Sequence, residues 1–116
     1  MKHVRVIWRE PVNHILEKCI NQSHVNPNVV EAFYEHGHMP HNPAFKCCIK
    51  CVTIELDILN PITGEVNAQK WSDTFDYLDL ELAQQCIDQE EPDLCEKVFK
   101  MVDCVHDHVG KKFPPE

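Results

Sequence analysis

The chain has 116 residues with 19 acidic against 11 basic side chains, a formal charge of -8. That balance excludes binding to nucleic acid through phosphate neutralisation, because the surface repels the backbone instead of releasing its counterions. No run of about eighteen apolar residues exists to span a bilayer, and the length suits one domain, 1–116, whose modest core welcomes covalent staples.

From Val4 to about Gln22 the residues Ile7, Val12, Ile15, Leu16 and Cys19 recur at spacings of three and four, the mark of an amphipathic helix. Pro11 must kink that helix or split it. Asn26-Pro27 places a cap before a proline at the first helical position and opens a short helix to about Tyr34. EHGHMPHNP is a loop whose Asn42-Pro43 repeats the signal and starts a third helix to about Leu59. Asn60 to Gly64 turns the chain. A fourth helix follows from Glu65 to Thr74, a fifth from about Asp76 to Asp88, and Glu91-Pro92-Asp93 starts a sixth to about His108. The tail GKKFPPE, from about residue 110, cannot be helical at its prolines. VTIEL alternates with period two but lies inside a longer helical pattern. The expectation is an all-α fold.

Seven cysteines stand at 19, 47, 48, 51, 86, 95 and 104. Cys95 and Cys104 are nine residues apart, about 900° on a helix, so they point to opposite sides. They cannot close on one zinc ion, but they can staple one helix to two neighbours. Cys47 and Cys51 differ by about 400° and share a face, so the third helix can be tied to two partners from adjacent turns. Disulfides therefore explain the geometry better than a metal, at about 2–4 kcal/mol each, with fifteen pairings of six cysteines left open. Such usage belongs to an oxidising compartment. MKHVRVIWREPV has no apolar stretch of signal-peptide length, so the chain reads as a mature secreted protein whose leader is gone.

Six of the cysteines leave gaps of 27, 3, 34, 8 and 8 residues. That rhythm, together with KCCIKC, TGEVNAQKW and CEKVFKMVDC, resembles the insect odorant-binding and pheromone-binding protein family from Cys19 to Cys104. The resemblance implies a compact six-helix domain, three disulfides (Cys19–Cys51, Cys47–Cys95 and Cys86–Cys104) and an internal apolar cavity. Cys48 is the departure, since members commonly carry an aromatic there. It is either a buried free thiol or an intermolecular one that links a dimer.

Helix faces and the match to family positions select the candidate ligand-binding residues. Trp71 and Phe75 form an aromatic wall, Leu80 and Leu82 come from the fifth helix, Val102 and Val105 from the sixth, and Thr53 and Leu56 from the third. Each competes with plain core packing. Trp71 has an indole N–H to orient a polar ligand end, while the Thr53 hydroxyl competes with bonding to its own backbone. Phe113 is either a lid plug carried by the tail or part of a frayed end.

An enzyme is not expected. Cys47-Cys48 and CVHDH resemble fragments of secreted phospholipase A2, but Cys51 stands where that chemistry needs its histidine. Three glycines also cannot build its calcium loop. Ser23 and Ser72 lie in no nucleophile elbow. Eight histidines are many: His36, His38 and His41 fall in one loop and read as exposed rather than metal-binding, while His106 and His108 close the sixth helix. Protonating all eight would move the formal charge from -8 to zero, so His106 and His108 are candidates for a pH switch beside the tail. No cofactor and no metal is called for.

The partners expected are a small hydrophobic ligand and an olfactory receptor, with the protein a monomer or homodimer in sensillar lymph or another secreted fluid. The function expected is a carrier of odorants or pheromones. The alternatives are a scavenger of the same fold in saliva, venom or seminal fluid, and a stapled interaction module with a filled core.

Overall fold

Caps and prolines divide the chain as the turn chemistry requires. The computed structural model describes residues 1–87 and 90–113. Its helices are α1 (Lys2–Arg9), α2 (Asn13–Ser23), α3 (Pro27–His36), α4 (Pro43–Glu55), α5 (Ala68–Thr74), α6 (Leu80–Cys86) and α7 (Leu94–Lys112). Pro11 splits the first expected helix: a 3-10 turn, Glu10–Val12, joins α1 to α2. Counting that broken helix once gives the six expected, and the all-α class is borne out.

Asn26 and Asn42 cap α3 and α4 with their side-chain oxygens, each ahead of a proline. Asn67, Asp79 and Asp93 do the same for α5, α6 and α7. Each such cap satisfies an orphan amide at a helix start, typically for about 1 kcal/mol.

Four boundaries differ from the sequence expectation, the first three for a local reason. The third expected helix stops at Glu55, four residues before Leu59. Asp57 takes a left-handed φ of 60°, and the amides of Ile58 and Leu59 fold back onto the Thr53 carbonyl. That exit buries Ile58 and Leu59, which continued helix would not do. Glu65 and Val66 are not helical: Leu59 and Val66 form an isolated antiparallel bridge, and α5 begins only after the Asn67 cap. Residues 76–79 precede the fifth helix instead of opening it, since Tyr77 has a φ of 67° and Asp79 is the cap. Asp88, its expected last residue, lies outside the described residues, as do Pro114, Pro115 and Glu116 of the tail. The sixth expected helix runs longer, through Gly110 to Lys112.

α4 is the central element, packed against both α2 and α7. The Cys19–Cys51 bridge fastens α4 to α2, and Cys47–Cys95 fastens it to α7. Cys86–Cys104 holds α6 on α7. Two apolar clusters flank this frame. One gathers Leu16, Val30, Phe33 and Phe45, with Phe99 arriving from α7. The other gathers Trp8, Ile58, Trp71 and Met101. Lys97, only 6% exposed, stretches its ammonium to the Gly64 carbonyl at 2.7 Å and pins the turn between α4 and α5.

The bridges close loops of unequal length, with sequence separations of 48 for Cys47–Cys95 and 18 for Cys86–Cys104. Chain entropy then assigns the longer loop about 4 kcal/mol and the shorter about 3 kcal/mol. Replacing each pair by alanines should lower the urea midpoint more for Cys47/Cys95 than for Cys86/Cys104. The reverse order would mean that native-state packing, not the unfolded chain, decides what each bridge contributes.

Candidate ligand cavity

Between the two clusters the helices frame a partly open cavity of about 90 Å³, well above the ~10–15 Å³ that one water needs. Its walls come from six helices and the loop before α6. Trp8 from α1 and Leu16 from α2 form one side with Val12 between them; Val30, Phe33 and Tyr34 of α3 form the next. From α4 come Phe45, Cys48, Ile49 and Val52, a face repeated at three and four residues. Aromatic rings stiffen this side, with Phe33 at 5.0 Å from Tyr34 and 6.1 Å from Phe45.

Of the candidate binding residues, Thr53, Trp71, Phe75, Val102 and Val105 line this space. Leu56 instead packs where the two clusters meet, and Leu82 supports the second cluster from α6. Leu80 sits half-buried at the start of α6, outside the lining. Phe113 does not plug the cavity. Its ring lies 5.7 Å from His3 and 5.1 Å from Tyr77, an aromatic trio holding the end of α7 against α1.

The walls contributed by α1, α2 and α3 were not anticipated. Trp8, Val12 and Leu16 recur every fourth residue, and Val30 and Phe33 sit three apart, so helical spacing does mark a common face. What spacing alone does not give is the partner of that face, because the split at Pro11 sets the angle between α1 and α2.

The lining is apolar, with no carboxylate, ammonium or guanidinium group in it. Its polar atoms are mostly committed elsewhere. The Thr53 hydroxyl donates to the Lys50 carbonyl at 2.7 Å, and the Trp8 indole N–H donates to the Asp76 carbonyl at 2.6 Å. Cys48 forms no disulfide, is hydrogen-bonded with Ser23 and is 1% exposed. Its sulfur is out of reach of a second copy while the helices stay packed, and burial pushes the thiol pKa up.

The candidate switch histidines are separated by what they touch. His36, His38 and His41 are exposed. His108 donates from Nδ1 to the Cys104 carbonyl at 2.9 Å, beside the Cys86–Cys104 bridge. That cysteine pair and His108 have metal-ligand proximity, but both sulfurs are spent on the disulfide. His106 is the integrated one. Its ring lies 6.4 Å from that of Trp8 and 5.6 Å from that of Phe33, both cavity walls, and its Nε2 accepts from Arg5 Nη1 at 3.2 Å. Arg5 is 6% exposed and also donates to the Tyr34 carbonyl at 3.1 Å. Burial, then the Arg5 charge, holds the His106 pKa below the ordinary 6.5, while Asp103 and Asp107 oppose the shift.

The comparisons with known proteins agree with this architecture. Odorant binding protein 7 from Anopheles gambiae, solved with four disulfide bridges, matches at 26% identity over 90% of this chain and 92% of that one, with a TM-score of 0.68. No curated protein matches the sequence. The PBP/GOBP family model matches residues 5–108. The chain therefore belongs to the PBP/GOBP family, whose members are odorant- and pheromone-binding carriers and not enzymes.

Proposed function

We propose that this protein is a secreted carrier that takes a small hydrophobic molecule into the cavity between α1, α3, α4, α5 and α7 and releases it when acid loosens the wall at His106. The observation that carries the first half is a partly open cavity whose lining holds no charged group. An apolar molecule gains about 0.8 kcal/mol for each methylene moved from water into such a space. After association costs, a compact ligand reaches a micromolar Kd. The same lining gives breadth rather than fine selectivity, because apolar contacts discriminate weakly between molecules of similar size. Trp71, Phe75, Val102, Val105 and Thr53 are the expected ligand contacts among the residues marked by sequence, joined by Trp8, Phe33 and Val52. The scavenger alternative uses the same cavity and is separated by the tissue that makes the protein.

An environment-sensitive naphthylamine dye should brighten on uptake with a Kd of about 1–10 µM. Val102→Trp puts an indole into the space and should weaken that uptake at least tenfold with the three disulfides intact. A dark dye on the wild type would favour the filled-core interaction module.

For the release half, the sign follows from His106. Its pKa is lowered in the fold, so the unfolded chain binds the proton more readily. The contact is fully favourable above the ordinary value of 6.5 and loses stability as pH falls through it toward the folded value. Protonation would set a second cation 3.2 Å from the Arg5 guanidinium. The amino terminus adds to that repulsion, Asp103 and Asp107 soften it, and Lys2, Glu35, His36 and Lys111 border the same cleft. Dye affinity and urea midpoint should both fall between pH 7 and pH 5. His106→Gln, which keeps a neutral acceptor, should flatten both slopes. Equal slopes in the two proteins would remove His106 from the mechanism.

A further inference from the structure

The cavity wall contains one oxygen with nothing to bond to. Tyr34 accepts Arg5 through its backbone carbonyl, but its hydroxyl makes no hydrogen bond among the described residues. No side-chain nitrogen or oxygen is both sealed from any space and unpaired among those residues. The Tyr34 hydroxyl therefore keeps some accessible surface, and Tyr34 borders the cavity. The residue as a whole is half-buried, its ring covered by the Arg9 guanidinium at 4.9 Å from the centroid. Burial pushes the hydroxyl pKa up, the Arg9 charge opposes that shift, and Cys48 in the same wall and Glu31 add to it. The phenol thus stays neutral and keeps its proton.

We propose that the Tyr34 hydroxyl is the polar anchor of the cavity, donating its hydrogen bond to the carbonyl oxygen of a compact apolar ligand such as a ketone, aldehyde or ester. This deepens the carrier reading and rests on it.

The choice of a carbonyl follows from the inventory of uncommitted polar atoms. Besides Tyr34 there is the Trp71 indole N–H, which has no hydrogen bond among the described residues, while the Cys48 thiol is engaged with Ser23. Donors dominate, so the matching ligand is an acceptor that brings no donor of its own. A charged ligand would be desolvated with no counter-charge to meet it. The anchor is also held in place: Arg5 donates to the carbonyls of Tyr34 at 3.1 Å and Glu35 at 3.4 Å, and Phe33 packs edge-on to the Tyr34 ring. A donor fixed before the ligand arrives loses little entropy on binding.

The test uses two ligands of nearly one shape, acetophenone and α-methylstyrene, which differ by a carbonyl oxygen against a methylene. Each displaces the naphthylamine dye from the full disulfide-bonded chain, wild type and Tyr34→Phe. The expected result is that Tyr34→Phe loses acetophenone affinity by about three- to tenfold, the range of one neutral hydrogen bond, while α-methylstyrene changes less than twofold. The unchanged hydrocarbon reports that the variant is folded and hollow. In the infrared, the bound acetophenone carbonyl stretch should sit at lower wavenumber in wild type than in Tyr34→Phe. Equal losses for both ligands, no loss for acetophenone, or acetophenone failing to compete in wild type would each overturn the anchor. A wild type that takes up neither dye nor hydrocarbon defeats the carrier reading itself, a separate and distinguishable failure.

Discussion

Everything in this molecule depends on α4 being fastened to two neighbours. Cys47 and Cys51 leave one face of the helix one turn apart and reach α7 and α2, so the two helices that pack most closely on α4 are fixed relative to each other. Hydrophobic burial alone drives side chains into whatever space is left. Covalent ties remove that obligation, because they act chiefly on the unfolded chain and are indifferent to whether the interior is full. A void of about 90 Å³ costs on the order of 2 kcal/mol at about 24 cal/mol per Å³. One long-loop bridge at about 4 kcal/mol outweighs that. The staple and the hollow are two sides of one arrangement.

The hollow is also shared between two cores rather than cut out of one. Phe33, Phe45 and Val52 belong to the first cluster and Trp8, Trp71 and Val105 to the second, yet all six line the same space. A ligand seated there would complete the packing of both halves, coupling them more tightly than either is coupled in its absence. The corner where α1, α3 and α7 meet is where that coupling is polar. Arg5 joins α1 to the backbone of α3 and to His106 of α7, directly behind the Trp8 and Phe33 walls. If the proposed release holds, a charge change there would act on the cavity through the Trp8 and Phe33 rings.

How much of this was legible in the sequence depends on what fixes each feature. The helices were legible because Asn26-Pro27, Asn42-Pro43 and Asp93 are local signals acting on the residues that carry them. The end of α4 was not, since IELDIL is good helix by its own pattern. Only the burial of Ile58 in the second cluster, and of Leu59 beside it in sequence, favours the left-handed turn at Asp57. Trp71, Phe75, Val102 and Val105 were legible as inward faces. Leu80, Leu82 and Phe113 carry equally apolar patterns, but α6 shows its apolar side to α7, and Phe113 to His3 and Tyr77. Helical spacing says which face is buried, not which of two interiors receives it. Tyr34 escaped for a related reason: nothing local tells that its hydroxyl ends without a partner.

Cys48 shows how the chemistry of the cysteines and the shape of the cavity constrain each other. A free thiol adjacent in sequence to Cys47, in a chain with three disulfides, threatens exchange, since thiolate attack on a disulfide sulfur is how bridges shuffle. The rate depends on the thiolate fraction and on access. About 100° of helical rotation separates Cys48 from Cys47, and Cys48 faces the apolar cavity while Cys47 faces α7. Burial raises its pKa, so at neutral pH the sulfur stays protonated and behaves as a small apolar side chain. A larger residue at this position would take volume from the same space that Tyr34 and Trp71 border. The thiol is therefore compatible with the staples because it is buried in an apolar wall, and the cavity keeps its volume there because the thiol is small.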